Sequence, residues 1–173
     1  MQLARSILLR TFLLLVSTFA MGCLVTESIS FPVEENLPPA VVQADPPWNR
    51  VVPVIVTPDT TEIRFAITIR DENVDQRLQW IADIDRNANL GQLARFNGQL
   101  EPTGMPERLL DLSIPTAILG SGSSCHRLDL RVSSEFEFST QDEPKDPNDL
   151  DSVTWWLNVR PADEMGASLD ACP

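Results

Sequence analysis

The stretch from Glu62 to Arg70, EIRFAITIR, alternates without a break. Ile63, Phe65, Ile67 and Ile69 share one parity, and Arg64, Ala66, Thr68 and Arg70 share the other. Successive side chains of an extended chain point to opposite faces, so this pattern describes a strand buried on one side. A helix would divide the same four apolar residues between opposite sides of its axis. The pattern recurs along the chain. In RLQWIADID, Arg77 to Asp85, it aligns Leu78, Trp80 and Ala82, and further on it aligns Leu110, Leu112 and Ile114 ahead of Pro115. His126, Leu128, Leu130 and Val132 alternate with Arg127, Asp129 and Arg131, and the phase can run on to Phe136 and Phe138. Val153, Trp155, Leu157 and Val159 alternate with Thr154, Trp156, Asn158 and Arg160.

Short alternating segments joined by polar turns predict an all-β antiparallel sandwich, formed by residues 48–173. The turn DENVDQ, Asp71 to Gln76, joins the first two long segments. VVPVIV, Val51 to Val56, reads as an edge strand, because Pro53 cannot donate to a central ladder. The best helical candidate is a weak stretch around Leu90 to Phe96. The sheets are expected to bury their Ile, Phe and Trp faces and leave arginines and acids outside.

Two of these segments carry a resemblance. IRDENVDQRLQW resembles the B–C hairpin of bacterial immunoglobulin-like domains of the PKD and cadherin-like type, with an acidic turn and a tryptophan on strand C. GSGSSCHRLDLRVSS is similar to their strand F, a glycine-containing turn followed by a histidine and alternating aliphatics. The resemblance spans roughly residues 60 to 160 and implies an immunoglobulin-like fold. The chain departs from antibody domains in having no cysteine on the second strand and no tyrosine at all. Residues 86–107 do not fit the short-loop pattern and leave room for extra strands or a helical turn.

The N-terminus predicts a destination. Arg5 and Arg10 precede TFLLLVSTFAM, eleven uncharged residues from Thr11 to Met21, which is the length of a signal-peptide core. A helical span needs about 20 apolar residues. Ala20-Met21-Gly22-Cys23 resembles the lipobox of bacterial lipoproteins, which implies cleavage after Gly22 and acylation at Cys23. Leu usually stands where Ala20 does; the alternative is an ordinary secretory signal that leaves Cys23 free. Cysteine parity agrees with acylation: of Cys23, Cys125 and Cys172, a lipidated Cys23 leaves an even pair, and Cys125 and Cys172 can form a disulfide in an oxidising compartment. That bridge would close a loop of about 47 residues and contribute up to about 4 kcal/mol. With the lipobox, the chain resembles lipoproteins of Gram-negative bacteria that carry an immunoglobulin-like domain, a group without an assigned function. By resemblance to sorted lipoproteins, Leu24 after the cysteine favours the outer membrane. Residues 23–47, with Pro32, Pro38, Pro39, Pro46 and Pro47, are expected to form a disordered tether of up to about 75 Å.

Charge excludes some functions. The chain carries a net charge of −12, and removal of residues 1–22 takes away two further positive charges. So acidic a chain is not expected to bind nucleic acid or to hold a membrane by a basic patch. Membrane attachment would come from the lipid. The run DEPKDPNDLD supplies Asp142, Asp146, Asp149 and Asp151 as candidate ligands of a calcium ion, alone or with the Asp71 turn. Asp83, Asp85, Asn87 and Asn89 begin like an EF-hand loop, but Ala88 and Ala94 stand where that loop needs glycine and glutamate. His126 is the lone histidine, and strand phase turns it away from Cys125, so no enzyme activity is expected. Trp156 is out of phase with the core and is a candidate contact for a protein or glycan partner. The sum is an exported, non-catalytic binding or structural module of the cell envelope, with a calcium-stabilised adhesion module as the alternative.

Overall fold

A computed structural model describes residues 36–87, 91–137, 143–162 and 172. Eight strands make up these residues: β1 (Ala40–Asp45), β2 (Val51–Val56), β3 (Glu62–Arg70), β4 (Leu78–Ile84), β5 (Ala94–Leu100), β6 (Glu107–Pro115), β7 (Ser124–Ser133) and β8 (Asp151–Pro161). A 3-10 helix, Thr116–Leu119, follows β6. The strands form two sheets, ordered β1-β3-β6 and β2-β8-β7-β4-β5. Lettered in chain order, this is A-B-E against A′-G-F-C-C′, an immunoglobulin-like sandwich. Every pair is antiparallel except β2 with β8, which run parallel.

Strand phase builds the core directly. On β3, Phe65, Ile67 and Ile69 are buried, and on β6 Leu110, Leu112 and Ile114 are buried. The register pairs Phe65 with Leu112 and Ile67 with Leu110, so the two apolar parities share one face. In the second sheet Leu128 faces Trp155 and Leu130 faces Val153, while Ala82 and Ile84 of β4 lie against Leu130 and Leu128. Burying each large side chain contributes about 1.5–3 kcal/mol. Trp155 is fully buried and meets Phe65 of the other sheet edge-on, with ring centroids 5.2 Å apart. Its indole N–H donates to the Pro46 carbonyl at 2.8 Å. That carbonyl lies where the chain leaves β1 and crosses to the other sheet, next to a cis Asp45–Pro46 peptide.

Several expectations change. Ala40–Asp45, expected within the tether, is a strand paired with β3. The apolar residues Val41 and Ala44 supply the reason, since both are buried against the core. Residues 23–35 lie outside the described residues. The helix expected around Leu90 to Phe96 is absent from residues 91–96, and Leu90 lies outside the described residues: Ala94 opens strand β5, whose register sets Phe96 opposite Ala82. Strand β7 stops at Ser133, Phe136 makes only an isolated bridge with Pro144, and Phe138 lies outside the described residues. The outer face of the large sheet is not simply exposed charge. Asp83 is completely buried there, held by Arg95 Nε at 2.6 Å and by Arg131 Nη2 at 2.7 Å. Asp83 stands directly across from Asp129. Two like charges facing across strands repel. Arg95 and Arg131 offset this at Asp83, and Arg127 Nε (2.8 Å) and Thr154 Oγ1 (2.7 Å) donate to Asp129.

Gly98 has a packing reason. It is the cross-strand partner of Trp80, and a Cβ there would lie 2.6 Å from the indole. Gly98→Ala is expected to cost about 1–3 kcal/mol by overpacking. Urea denaturation checks this, and a cost below about 0.5 kcal/mol would show that the indole moves aside freely.

Candidate functional site

The first candidate surrounds the histidine. Residues two apart on a strand share a side, so β7 places Ser124 and His126 together even though it turns Cys125 away. The hydroxyl Ser124 Oγ lies 2.9 Å from His126 Nε2, and Asp85 Oδ2 lies 2.6 Å from Nδ1. Strand phase was expected to keep a nucleophile away from His126; instead it supplies one. Asp85, just past β4, has a positive φ of 52°, a region that Asp tolerates better than most residues. Its Oδ1 accepts from the Arg127 backbone N–H at 2.8 Å, which locks the carboxylate beside the ring.

Hydrogen-bond arithmetic decides what this arrangement can do. Nε2 also faces the Leu119 carbonyl, at 3.0 Å. The carboxylate and the carbonyl can only accept, whereas the Ser124 hydroxyl can donate to Nε2 or accept from it. A serine nucleophile needs the Nε2 lone pair as its base, and Nε2 here lies between the Ser124 hydroxyl and the Leu119 carbonyl. Ser124 Oγ has a further acceptor in the Gly122 carbonyl at 3.4 Å. The geometry is that of a clasp tying the end of β4, the end of the 3-10 helix and the start of β7. On the other face of β7, Cys125 is bonded to Cys172, with a Cα separation of 5.7 Å.

The acidic candidates do not converge on one point. Asp142 and Cys23 lie outside the described residues. Asp146 Oδ1 accepts from the Asn148 N–H at 2.9 Å and caps its own turn. Asp151 Oδ2 accepts from the Val41 N–H at 2.6 Å and so stitches β8 to β1 across the two sheets. Asp149 is 2% exposed, and its Oδ2 accepts from the Ser134 N–H at 2.8 Å and from both serine hydroxyls, Ser133 and Ser134. No group of three or more His, Cys, Asp or Glu side chains among the described residues is placed to share an ion.

The Asp71–Gln76 turn holds a cation already, and it is Arg108. The buried guanidinium donates from Nη1 to the Gln76 carbonyl at 2.6 Å and from Nη2 to the Asn73 carbonyl at 3.1 Å. Asp71 Oδ2 is 3.4 Å from Nη2, and Asp71 Oδ1 accepts from the Asn73 N–H at 2.9 Å. Carbonyl and carboxylate oxygens of this kind would suit calcium, and here a side chain fills their centre. Burial pushes the Asp71 carboxyl up and the charge of Asp149 adds to this, against the opposing pull of the Asn73 N–H and Arg108.

Trp156 is 39% exposed on the outer face of the large sheet, with Val51 and Arg127 as its cross-strand neighbours. The β7–β8 connection forms a second surface feature that strand reasoning missed. Glu137 N–H donates to the Glu143 carbonyl at 2.8 Å and Lys145 N–H to the Glu135 carbonyl at 2.9 Å, so residues 135–137 and 143–145 pair as the two arms of a small hairpin. Gln79 Oε1 accepts from the Phe136 N–H at 3.2 Å and pins that hairpin to β4. Between the hairpin and the outer face of β4 and β5 lies a groove of about 540 Å³. Its signal in the sequence was Phe136, an aromatic beyond the end of the strand. No known protein family matches this chain, and no curated protein is significantly similar to it.

Two measurements follow from this geometry. His126→Ala strands the Leu119 carbonyl and Asp85 and should lower stability by about 1–3 kcal/mol, whereas Ser124→Ala should stay within about 0.5 kcal/mol. Urea melts compare them, and an equal loss in both would contradict the clasp. For Asp71 the sign runs against ordinary carboxylates. The folded state holds this proton to higher pH than the unfolded chain does, so its contribution is present below the usual value of 3.8 and is lost as pH rises through the raised one. Stability measured against pH should therefore fall in the wild type relative to Asp71→Asn across that window. Parallel curves would sink the assignment.

Proposed function

We propose that the protein is an exported, lipid-anchored module of the cell envelope that binds or braces rather than catalyses. The observation that carries this reading is the bond between Cys125 and Cys172. Such a bond belongs to an oxidising compartment, and it leaves Cys23 as the odd thiol, placed directly after an apolar run and a small residue. Acylation at Cys23 would hold the sandwich at an outer-membrane surface, because one lipid-modified residue can supply the attachment that an acidic surface cannot. The non-catalytic part rests on the Leu119 carbonyl at His126 Nε2. The module would act through what it displays: the outer sheet face with Trp156, and the hairpin between β7 and β8.

Intact mass of the protein purified from membranes of a Gram-negative host tests the anchor. A chain starting at Cys23 and carrying a diacylglyceryl and an acyl group is expected, and Cys23→Ser should abolish both the modification and the membrane association. An unmodified mass starting at Cys23 would overturn lipid anchoring. Loss of two hydrogens for the Cys125–Cys172 pair should be visible in the same spectrum.

A further inference from the structure

We propose that the groove between the β7–β8 hairpin and the outer face of β4 and β5 binds a neutral oligosaccharide; this rests on the reading of the protein as a binding module and names the ligand class. The groove, about 540 Å³, lies within the range of about 300–1,000 Å³ usual for ligand sites. Its floor presents three carboxamides. Asn97 and Gln99 stand two residues apart on the exposed side of β5, and their side chains make no hydrogen bond among the described residues. Gln79 has spent its Oε1 on the Phe136 N–H and keeps its Nε2 donors. The wall adds the carboxylates of Glu135 and Glu137, both acceptors only.

The chemistry selects the ligand by elimination. Among the described residues no lysine or arginine lines the groove, and Lys145 pairs with Glu135 at 2.9 Å, so the lining offers phosphates and acidic sugars carboxylates and no cation of its own. Of the apolar members, Ile81 and Phe136 are almost completely buried and Trp80 is half-buried. They form an apolar base beneath the carboxamides. Hydroxyls, which donate and accept at once, match carboxamides that also do both. A hydroxyl-rich neutral chain can satisfy Asn97, Gln99 and the Gln79 amide together, with the two glutamates accepting from its remaining hydroxyls. The hairpin that makes the wall is fixed at its base by Asp149 on Ser133 and Ser134, so the groove exists before a ligand arrives.

The test is a titration of the isotopically labelled full-length chain in a non-glycosidic detergent with maltotriose, cellotriose and chitotriose, read at the side-chain amide resonances of Gln79, Asn97 and Gln99. At least one trisaccharide should give saturable shifts at these groups. The Asn97→Ala/Gln99→Ala double variant should weaken that binding roughly ten-fold or more, since it removes two sets of hydrogen bonds. Both residues are exposed, and circular dichroism confirms that the variant is folded. No saturable shift with any of the three sugars would overturn the proposal. So would shifts given by tri-lysine alone and lost in Glu135→Gln/Glu137→Gln, which would make the groove a cationic-peptide site and leave the binding-module reading standing. The lipid anchor has its own separate failure, an unmodified Cys23 in the membrane preparation.

Discussion

Trp155 is the point through which the two sheets are joined. It projects from β8, fills the space against Phe65 of β3, and reaches past it to donate its indole N–H to the Pro46 carbonyl. A buried indole without a partner for its N–H would carry a desolvation cost of about 1–3 kcal/mol. The partner is a backbone carbonyl at the place where the chain changes sheets. One side chain therefore fixes the spacing of the layers and the crossover from β1 to β2, and β2 can then lie parallel to β8. The immunoglobulin-like arrangement depends on that crossover, because β1 and β2 belong to different sheets.

Charge does structural work in this molecule. Asp83, Asp129 and their arginines form a row across the outer face of the large sheet, and Asp151 joins β8 to β1. Arg108 organises the turn between β3 and β4 from within, as a bound cation would. Arg108 sits on the inward parity of β6 beside Leu110 and Leu112, where an apolar residue is expected. Its guanidinium runs out of the core end into four oxygens, which is why a charged group is tolerated there. These networks explain how a chain with a net charge of −12 can bury several acids: each buried carboxylate meets an arginine, a backbone N–H or a hydroxyl.

The candidate surfaces share one design. Rigid strands present them, and a short hairpin or turn locked by an aspartate shapes them. Asp85 locks the ring of His126, and Asp149 locks the foot of the hairpin that walls the groove. In both places the acid faces backbone N–H groups as well as side chains, so the loop geometry is set by the chain's own donors. The histidine cluster has the members of a catalytic relay, and its Nε2 lies between the Ser124 hydroxyl and the Leu119 carbonyl.

By itself, the sequence determined the strands that are buried on one side: the parity of β3, β4, β7 and β8 could be read residue by residue, because alternate burial is a local property of an extended chain. It also showed β2 as an edge, since a proline cannot serve a central ladder, and it set Trp156 outward from Trp155. Only the tertiary structure decided the rest. Ala40–Asp45 is too short and too mildly apolar to announce itself, and becomes a strand because β3 offers it a ladder. Ala94–Leu100 carries Arg, Asn and Gly in place of a clean alternation, because it is an edge strand whose outer side lines a groove. The clasp at His126 joins residues from three separate segments, and Arg108 meets Asp71 across 37 positions of chain. Such contacts leave no periodicity behind. They arise where strand ends and loops are brought together by packing that the alternation predicts only in outline.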